Sequence, residues 1–308
     1  MRLVTYRHGS ESRLGILLER KVVDVQFAYQ KYCLATHQPP SLINDYGSML
    51  DTLNSGNDAF KVLSKILSFA QNQLAGELDE TLKIFNSLDG VTLLSPLSNP
   101  GKVICIGGNF PSAGKLTAPD FPVVFLKPAS TITGFGMPVW ISEITANVAY
   151  EVELVVVIGK RARNVAAGDA SNYIAGFTLA NDIGDRVLEK RTSQWTSGKM
   201  FDTFTPLGPA IVTPDEIAET HNLPMETWVN DQQVQTGNTG DMFFDVNHLV
   251  SYLSTLTTLE PGDLILTGSP KLMNGEPAPS VTLKAGDTVR ISVGGLGELI
   301  NPIQEEPK

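Results

Sequence analysis

Two glutamates, Glu151 and Glu153, stand at the head of one of the most apolar runs of the chain, YEVELVVVIGK at residues 150–160. Its density of β-branched residues predicts a buried strand. Side chains at positions i and i+2 of a strand point to the same face. Two carboxylates side by side near a core repel each other and lose hydration, so something must neutralise them. Either lysines hold them at the rim of the core, or they bind a cation.

A third carboxylate ends another apolar run. Asp182 follows Asn181 in FTLANDIGDR, residues 177–186, and a strand end is a natural companion for the glutamate pair. Three carboxylates without cysteine or histidine form an all-oxygen ligand set, which suits Mg²⁺ or Mn²⁺, or Ca²⁺ in a roomier site, rather than zinc. A chelating 1,3-diketone or 2-oxo acid could take the remaining positions. The spacing alone does not place Asp182 near the glutamates.

Several sequence blocks in a fixed order carry a resemblance: YEVELVVVIGK, YIAGFTLANDIGDR, WTSGKMFDTFTPLGPAIVTPDEI and LEPGDLILTGSP. With KVICIGGNF and VVFLKPASTITG, residues 100–302 resemble the fumarylacetoacetate hydrolase family. The resemblance implies strands wrapped into a roll with short helices, a divalent metal that is usually Mg²⁺, and a homodimer. It implies cleavage of carbon–carbon bonds in acylpyruvates and related β-diketo acids. The family also contains decarboxylases, hydratases, dehydratases and isomerases of 2-oxo acids.

The resemblance assigns metal ligands by position. Glu151 and Glu153 match the paired ligands of the E-x-E motif, and Asp182 matches the third ligand, in the ND that precedes an arginine. We therefore expect Mg²⁺ at these three residues, with Mn²⁺ or Ca²⁺ as alternatives.

Four further residues are expected around the substrate. By resemblance, Arg186 is the arginine beside the site, Lys199 contacts the substrate or a metal-bound acid, and Thr267 lies in the block that lines the substrate carboxylate. These three are the expected catalytic residues and also bind substrate. Lys199 could act as a base if burial lowers its pKa, or it could simply offset the glutamates. Lys127, in FLKPAS, either contacts the substrate carboxylate or forms a salt bridge after a buried strand.

The chain departs from the family pattern at two places. Family hydrolases carry a tyrosine in G-x-N-Y and, three residues later, a histidine paired with a glutamate. Here Phe110 replaces the tyrosine, Ala113 stands at the histidine position, and no acid follows before Asp120. The TGTP-x-G-x-G block has become TGSPKLMNGEP, residues 267–277. Both departures concern the substrate pocket and leave the acidic residues intact.

These observations leave three functions open. The first is a Mg²⁺-dependent hydrolase that cleaves a carbon–carbon bond in a β-diketo or acylpyruvate acid. The second is a Mg²⁺-dependent lyase, isomerase or hydratase of a 2-oxo acid, because hydrolysis needs a base for water and Ala113 is no base. The third is an inactive scaffold or a binding protein for small acids. Retention of three mutually repelling acids argues against the third.

Composition restricts the partners. The net charge of −10 argues against nucleic acid and anionic membranes, which need clustered lysine and arginine. No apolar run approaches the roughly 18 residues that span a bilayer, and the first residues lack the apolar core of a signal peptide. Two distant cysteines, Cys33 and Cys105, indicate reduced thiols. We expect a cytoplasmic enzyme with a small oxo-acid substrate.

The pattern along the chain predicts a mainly β, α+β protein of two domains. Residues 1–95 are expected to form a small α+β domain, with two short strands, a helix from Asp45 onward and a linker at 91–102. Residues 96–308 are expected to form the metal-binding domain, a β-roll or barrel of short strands. One inserted helix is predicted after Asp245, its N-cap.

Overall fold

The structure is a computed structural model that describes residues 1–37, 47–75, 83–217, 219–278 and 281–307. Its first part contains strands and helices in mixed order: β1 (Arg2–His8), β2 (Glu11–Leu18), β3 (Lys21–Asp24), α1 (Val25–Ala35), α2 (Met49–Asn54), α3 (Gly56–Ala75), β4 (Phe85–Ser87) and β5 (Thr92–Leu93). The predicted helix from Asp45 therefore forms as α2 and α3, and its first two residues lie outside the described ranges. Helix α1 was not predicted.

The second part is dominated by short strands. Its first half comprises β6 (Val103–Gly107), β7 (Val123–Lys127), β8 (Ile132–Thr133), β9 (Val139–Ile141), β10 (Val148–Ala149), β11 (Val152–Ile158), β12 (Ile174–Asn181), β13 (Gly184–Asp185), α4 (Arg186–Glu189), α5 (Thr196–Lys199) and β14 (Thr205–Val212). Its second half comprises β15 (Pro224–Val229), β16 (Gln232–Asn238), α6 (Val246–Leu256), β17 (Leu264–Leu266), β18 (Leu272–Met273), β19 (Glu276–Pro277), β20 (Thr288–Val293) and β21 (Gly297–Glu305). The predicted mainly β, α+β class is confirmed.

Most strands belong to two sheets. The larger has twelve strands, whose main order is β4-β3-β2-β1-β14-β12-β11-β17-β6-β7, and the smaller has five, in the order β16-β15-β20-β21-β9. Strand β1 pairs antiparallel with β14, so that Leu3 lies opposite Ile211. The large sheet therefore continues from the first 95 residues into the rest of the chain. The division into two domains stays a prediction.

Strand β11 has cores on both of its faces, which explains its almost purely apolar sequence. Val152, Leu154 and Val156 belong to the core that packs against the smaller sheet and α6. Val155 and Val157 belong to the other core, which the helices of the first part cover. Glu153 continues the row formed by these two valines, because side chains alternate along a strand. The row thus ends in a carboxylate.

Helix α6 begins as predicted. The Asp245 side chain accepts a hydrogen bond of 2.7 Å from the amide of His248 and so caps the helix. Within the described ranges, no helix combines the length and apolar character needed to cross a membrane.

Candidate metal centre

The antiparallel pairing of β11 with β12 brings the three carboxylates together. Val152 at the start of β11 lies opposite Asn181 at the end of β12. Glu151 precedes β11 by one residue, and its carbonyl accepts a 2.8 Å hydrogen bond from the amide of Asp182. Residues separated by about thirty positions in sequence therefore become neighbours in space.

One carboxylate oxygen from each of Glu151, Glu153 and Asp182 lies within 4.8 Å of the others, and all three residues are buried. The sequence predicted that Asp182 would join the glutamates, and the structure brings the three together. An all-oxygen set of this size could bind a hard divalent cation. The residues fit the expected metal, although binding itself stays a prediction.

Two buried lysines flank Asp182. Lys199 Nζ donates to Asp182 Oδ2 at 2.8 Å and to Glu151 Oε2 at 2.6 Å. Lys127 Nζ donates to Asp182 Oδ1 at 2.6 Å and to the carbonyl of Phe204 at 2.8 Å. Of the two alternatives for Lys127, this geometry fits the salt bridge, and contact with substrate stays a prediction.

The outer side of the centre is an ion-pair network. Arg186 Nη2 donates to Glu151 Oε1 at 2.7 Å, and its Nη1 donates to Glu189 Oε2 at 2.9 Å. Lys271 Nζ also donates to Glu151 Oε1. Glu151 therefore has three cationic partners, with Lys199 as the third.

This network sets the ionisation of Glu151. Burial opposes the charged form, but Arg186, Lys199 and Lys271 outweigh it and hold the pKa of the Glu151 carboxyl well below its ordinary value. Glu151 is therefore a carboxylate at neutral pH, ready to act as an oxygen ligand.

The pKa values of Glu153 and Lys199 are both raised. Burial, together with the charges of Asp182 and Glu151, raises the pKa of Glu153 well above its ordinary value. Burial would lower the pKa of Lys199, but Asp182 and Glu151 raise it above its ordinary value. Lys199 is therefore held as an ammonium group, and the lowered pKa that a lysine base would need is not found.

Asp185 and Gly184 fix the local backbone. Asp185 Oδ1 accepts from the amides of Val187 (2.9 Å) and Leu188 (2.8 Å), so it caps the short helix α4 that carries Arg186. At Gly184, an added Cβ would lie only 2.2 Å from Glu189 Oε1. The side chains of the network thus occupy the space that a larger residue would need.

A match to a known family model decides the family of the chain. Residues 102–304 match the family model for the fumarylacetoacetate (FAA) hydrolase C-terminal region. The chain belongs to the fumarylacetoacetate hydrolase family. The mitochondrial oxaloacetate tautomerase fahd2 of Xenopus laevis is 41% identical over 222 residues, which are 70% of each chain. The mitochondrial oxaloacetate tautomerase FAHD2A of Homo sapiens is 40% identical over 242 residues, 77% of this chain and 76% of the relative.

Solved structures of the family share the fold. Maleylpyruvate hydrolase from Sphingobium sp. SYK-6, in complex with manganese(II) and pyruvate, is 27% identical, has a TM-score of 0.75 and covers 100% of both chains. Fumarylacetoacetate hydrolase from Exiguobacterium antarcticum is 28% identical with a TM-score of 0.78, covering 99% of this chain and 100% of the other. The chain is thus a member of a family of enzymes that includes hydrolases and tautomerases.

A cavity opens over the three carboxylates. Thr267, like Lys127 and unlike Arg186 and Lys199, does not line this cavity. Its hydroxyl donates to the carbonyl of Leu154 at 3.0 Å, and the residue is fully buried. Ser269 and Lys271 from the same block as Thr267 line this cavity. The predicted role of Thr267 in substrate binding stays a prediction.

No histidine in the site replaces the histidine of family hydrolases. Ala113 is exposed in a turn in which Ser112 and Lys115 bridge each other. Phe110, at the tyrosine position, is buried and lines the cavity. All four histidines belong to the described residues, and none of them lines the cavity.

A cavity of approximately 420 Å³ opens over the three carboxylates, and we refer to it as the site cavity. Sequence reasoning missed several residues that line it, among them Glu189, Trp195 and Lys271. Glu189 lies three positions after Arg186, a spacing that places both on one side of a helical turn and could have indicated the ion pair. Trp195 and Lys271 come from loops, where spacing gives no such signal.

Proposed function

We propose that the chain is a metal-dependent enzyme that promotes keto–enol interconversion, or a related enolate reaction, of a 2-oxo acid. The observation that carries the proposal is the convergence of Glu151, Glu153 and Asp182 beneath a cavity with a buried ammonium group, Lys199. The proposal corresponds to the lyase and isomerase group that the sequence left open beside the hydrolases.

The three carboxylates would hold a divalent cation such as Mg²⁺ or Mn²⁺. When bound, such a cation polarises the carbonyl of a chelating 2-oxo acid and stabilises the enolate. Arg186 and Lys199 keep Glu151 ionised for this purpose, and the lysine also holds the orientation of Asp182.

Lys199 is suited to stabilise negative charge rather than to accept a proton. Its ammonium group lies between Glu151 and Asp182, so it faces the place where the substrate oxygens would bind. Charge-assisted hydrogen bonds from such a buried donor strengthen as negative charge develops on an oxygen. Lys199 would therefore stabilise an enolate electrostatically while it keeps its proton.

The cavity lining argues against hydrolysis through a histidine base, whereas decarboxylation and enol-to-keto conversion need no base that activates water. Hydrolysis needs a base that takes a proton from water, and loss of a general base lowers the rate by about 10²- to 10⁴-fold. No histidine lines the cavity, and Lys199 is held protonated. The names of the Xenopus laevis and human relatives, oxaloacetate tautomerases, agree with this choice.

Carbon–carbon bond hydrolysis is the second candidate. It is supported by the similarity of the whole chain to maleylpyruvate hydrolase, whose structure contains manganese(II) and pyruvate. Glu189 lines the cavity and is the carboxylate that could replace the missing base if its bond to Arg186 opened.

A metal titration tests the shared basis of both candidates. Protein stripped with EDTA should melt at a higher temperature after addition of Mg²⁺ or Mn²⁺, because a ligand that binds only the folded state stabilises it. Glu153→Gln should abolish both this shift and the activity. The absence of any shift in the wild-type protein at millimolar metal would contradict the metal site.

Product analysis separates the candidates. With enol-oxaloacetate, a tautomerase should speed the decay of enol absorbance without a change in mass, whereas a decarboxylase should release carbon dioxide. With an acylpyruvate in ¹⁸O-labelled water, a hydrolase should place the label in the acid product. If the label is incorporated and the protein has no effect on the oxaloacetate enol, carbon–carbon bond hydrolysis becomes the favoured function.

We also propose a homodimer, as the sequence resemblance implies. Strand β7 stands at one end of the order of the large sheet, and its Val123, Val124 and Leu126 side chains are exposed. An exposed apolar edge strand favours pairing with another chain, and a two-fold axis would close that contact. Light scattering should give a mass in solution of twice the chain mass. Val124→Lys should reduce the measured mass. A wild-type monomer at high concentration would contradict the dimer.

The expected cytoplasmic location remains a prediction. Both cysteines are free and buried, as expected for reduced thiols, but the names of the Xenopus laevis and human relatives include the word mitochondrial. Fractionation of cells that express the tagged full-length protein would distinguish the two compartments.

A further inference from the structure

Lys271 enters the site from the segment in which the sequence departs from the family pattern. It follows β17 and precedes the β18–β19 hairpin, which its carbonyl helps to close by accepting a 3.0 Å hydrogen bond from the amide of Ala278. Its ammonium group reaches Glu151 Oε1. A lysine in this altered loop therefore contacts a residue of the proposed metal centre.

Lys271 is the most available of the three cations around Glu151. Its side chain is 34% exposed, compared with 28% for Arg186 and 3% for Lys199. Lys199 is fixed by three oxygen acceptors, and Arg186 bridges Glu151 and Glu189. Lys271 has one acceptor in the described structure, so its long side chain can turn toward a ligand at little cost in lost contacts.

The charge of the site cavity favours a substrate with more than one negative group. Its lining contains five cationic and four acidic side chains, although the chain as a whole carries −10. A divalent cation on the three carboxylates would leave a clear positive excess. A monocarboxylate would neutralise only part of that excess, whereas a second carboxylate on the substrate would offset more of it.

We propose that Lys271 is a specificity-determining residue that binds the second anionic group of a dicarboxylic 2-oxo acid. The proposal rests on the function proposed above, in which the 2-oxo acid end is held at the carboxylates. Lys271 lines both the site cavity and an adjoining cavity of approximately 280 Å³. Lys271 thus borders the space beside the carboxylates into which the far end of a chelated substrate would extend.

The expected effect is selective. An ammonium–carboxylate contact at a partly exposed position should favour a dicarboxylate over its monocarboxylate analogue by roughly tenfold. Lys271→Met should remove most of this preference, and Lys271→Arg should keep it. A purely structural Lys271, which only anchors its loop to Glu151, would weaken both ligands equally and lower the melting temperature.

Dissociation constants of the Mg²⁺-loaded full-length protein, measured by calorimetry, test this directly. Two ligand pairs differ only in the exchange of a carboxylate for a methyl group: oxaloacetate with 2-oxobutanoate, and 2-oxoglutarate with 2-oxopentanoate. Lys190→Met removes another cation from the same cavity, and Lys65→Met removes an exposed cation from helix α3. Activity with the better dicarboxylate gives KM and kcat separately.

We expect Lys271→Met to raise the KM and the dissociation constant of the dicarboxylate about tenfold, with little change for the monocarboxylate or in kcat. Lys65→Met should leave both ligands unchanged. An unchanged ratio in Lys271→Met, or an equal loss in Lys190→Met, would overturn the proposal. If the wild-type protein binds none of the four acids in the presence of Mg²⁺, the proposed function fails instead, which is a different result.

Discussion

The Glu153 carboxylate is the least compensated charge of the centre. It accepts a 2.8 Å hydrogen bond from the amide of Gly268, but within the described ranges it forms no salt bridge, while two other carboxylates lie close by. An uncompensated buried acid lowers stability, as expected for a residue of the proposed metal centre. Glu153→Gln should therefore stabilise the metal-free protein by roughly 0.5–2 kcal/mol, which urea denaturation in EDTA would measure.

Glu151 provides the matched control, because it has cationic partners that Glu153 lacks. Glu151→Gln would leave Arg186, Lys199 and Lys271 without their shared acceptor, and removal of one member of a buried ion pair costs about 3–5 kcal/mol. The two neighbouring substitutions should thus change stability in opposite directions. Equal losses in both variants would contradict the assignment of Glu153 as the uncompensated acid.

Gly184 gives a second prediction for a single residue. A Cβ there would lie 2.2 Å from Glu189 Oε1 and 2.8 Å from Lys199 Cε, so Gly184→Ala must displace this side of the network. We expect weaker Mg²⁺ binding and an activity reduced by about tenfold or more, because small displacements in a catalytic site lower the rate strongly. Gly168→Ala is the control, because nothing lies within 4 Å of its added Cβ. Similar activity in both variants would show that the network adapts.

At the scale of single residues, the sequence predicted the positions of the three carboxylates better than the contact of Lys271. Glu151, Glu153 and Asp182 were predictable because strand periodicity and strand ends restrict where such residues can point. The contact of Lys271 with Glu151 was not, because its long side chain leaves a loop whose path depends on tertiary packing. The hydroxyl of Thr267 bonds to the backbone of β11, and its expected role at the substrate stays a prediction.

The helical element α4 depends on Asp185, whose buried side chain accepts from four backbone amides: Ala146, Asn147, Val187 and Leu188. Burial opposes its charge, but these donors outweigh burial and hold the pKa of Asp185 below its ordinary value. Its ionised form therefore stabilises the fold above the unfolded-state pKa of about 3.9, and this stability is lost as pH falls through the lower folded-state value.

We expect Asp185→Asn to cost about 1–3 kcal/mol at pH near 7, because two of the amides would then face the new NH₂ group. The difference from wild type should shrink as pH falls below roughly 4. Urea denaturation across this pH range measures it. Asp245→Asn is the comparison, since Asp245 is exposed and accepts from one amide. A cost for Asp185→Asn that does not depend on pH would argue against the role of its charge.

Among the elements, strands were easier to predict than helix α1. Strand β11 was predictable from its β-branched run, and α6 from its Asp245 cap. Helix α1 buries Val25, Ala28, Tyr29 and Cys33, which have helical spacing. However, small and polar residues dilute that stripe, so the pattern of apolar residues alone is weak.

On the scale of the whole molecule, the two predicted domains share one core. Leu3, Ile16 and Leu63 from the first 95 residues pack in the same cluster as Val155 and Val157 of β11. The pairing of β1 with β14 adds backbone hydrogen bonds across the predicted boundary. Sequence reasoning placed a linker there because prolines and glycine follow one another at residues 95–101, but such residues also occur in chain segments that are packed.

This shared core predicts that the full-length protein unfolds as one unit. All three tryptophans, Trp140, Trp195 and Trp228, lie after the boundary, whereas the longest described helix, α3, lies before it. Tryptophan fluorescence and far-UV circular dichroism therefore report mainly on different parts. Their urea transitions in EDTA should coincide, since loss of either part exposes the common apolar cluster. Two separated transitions would mean that the first 95 residues form an independent domain despite the continuous sheet.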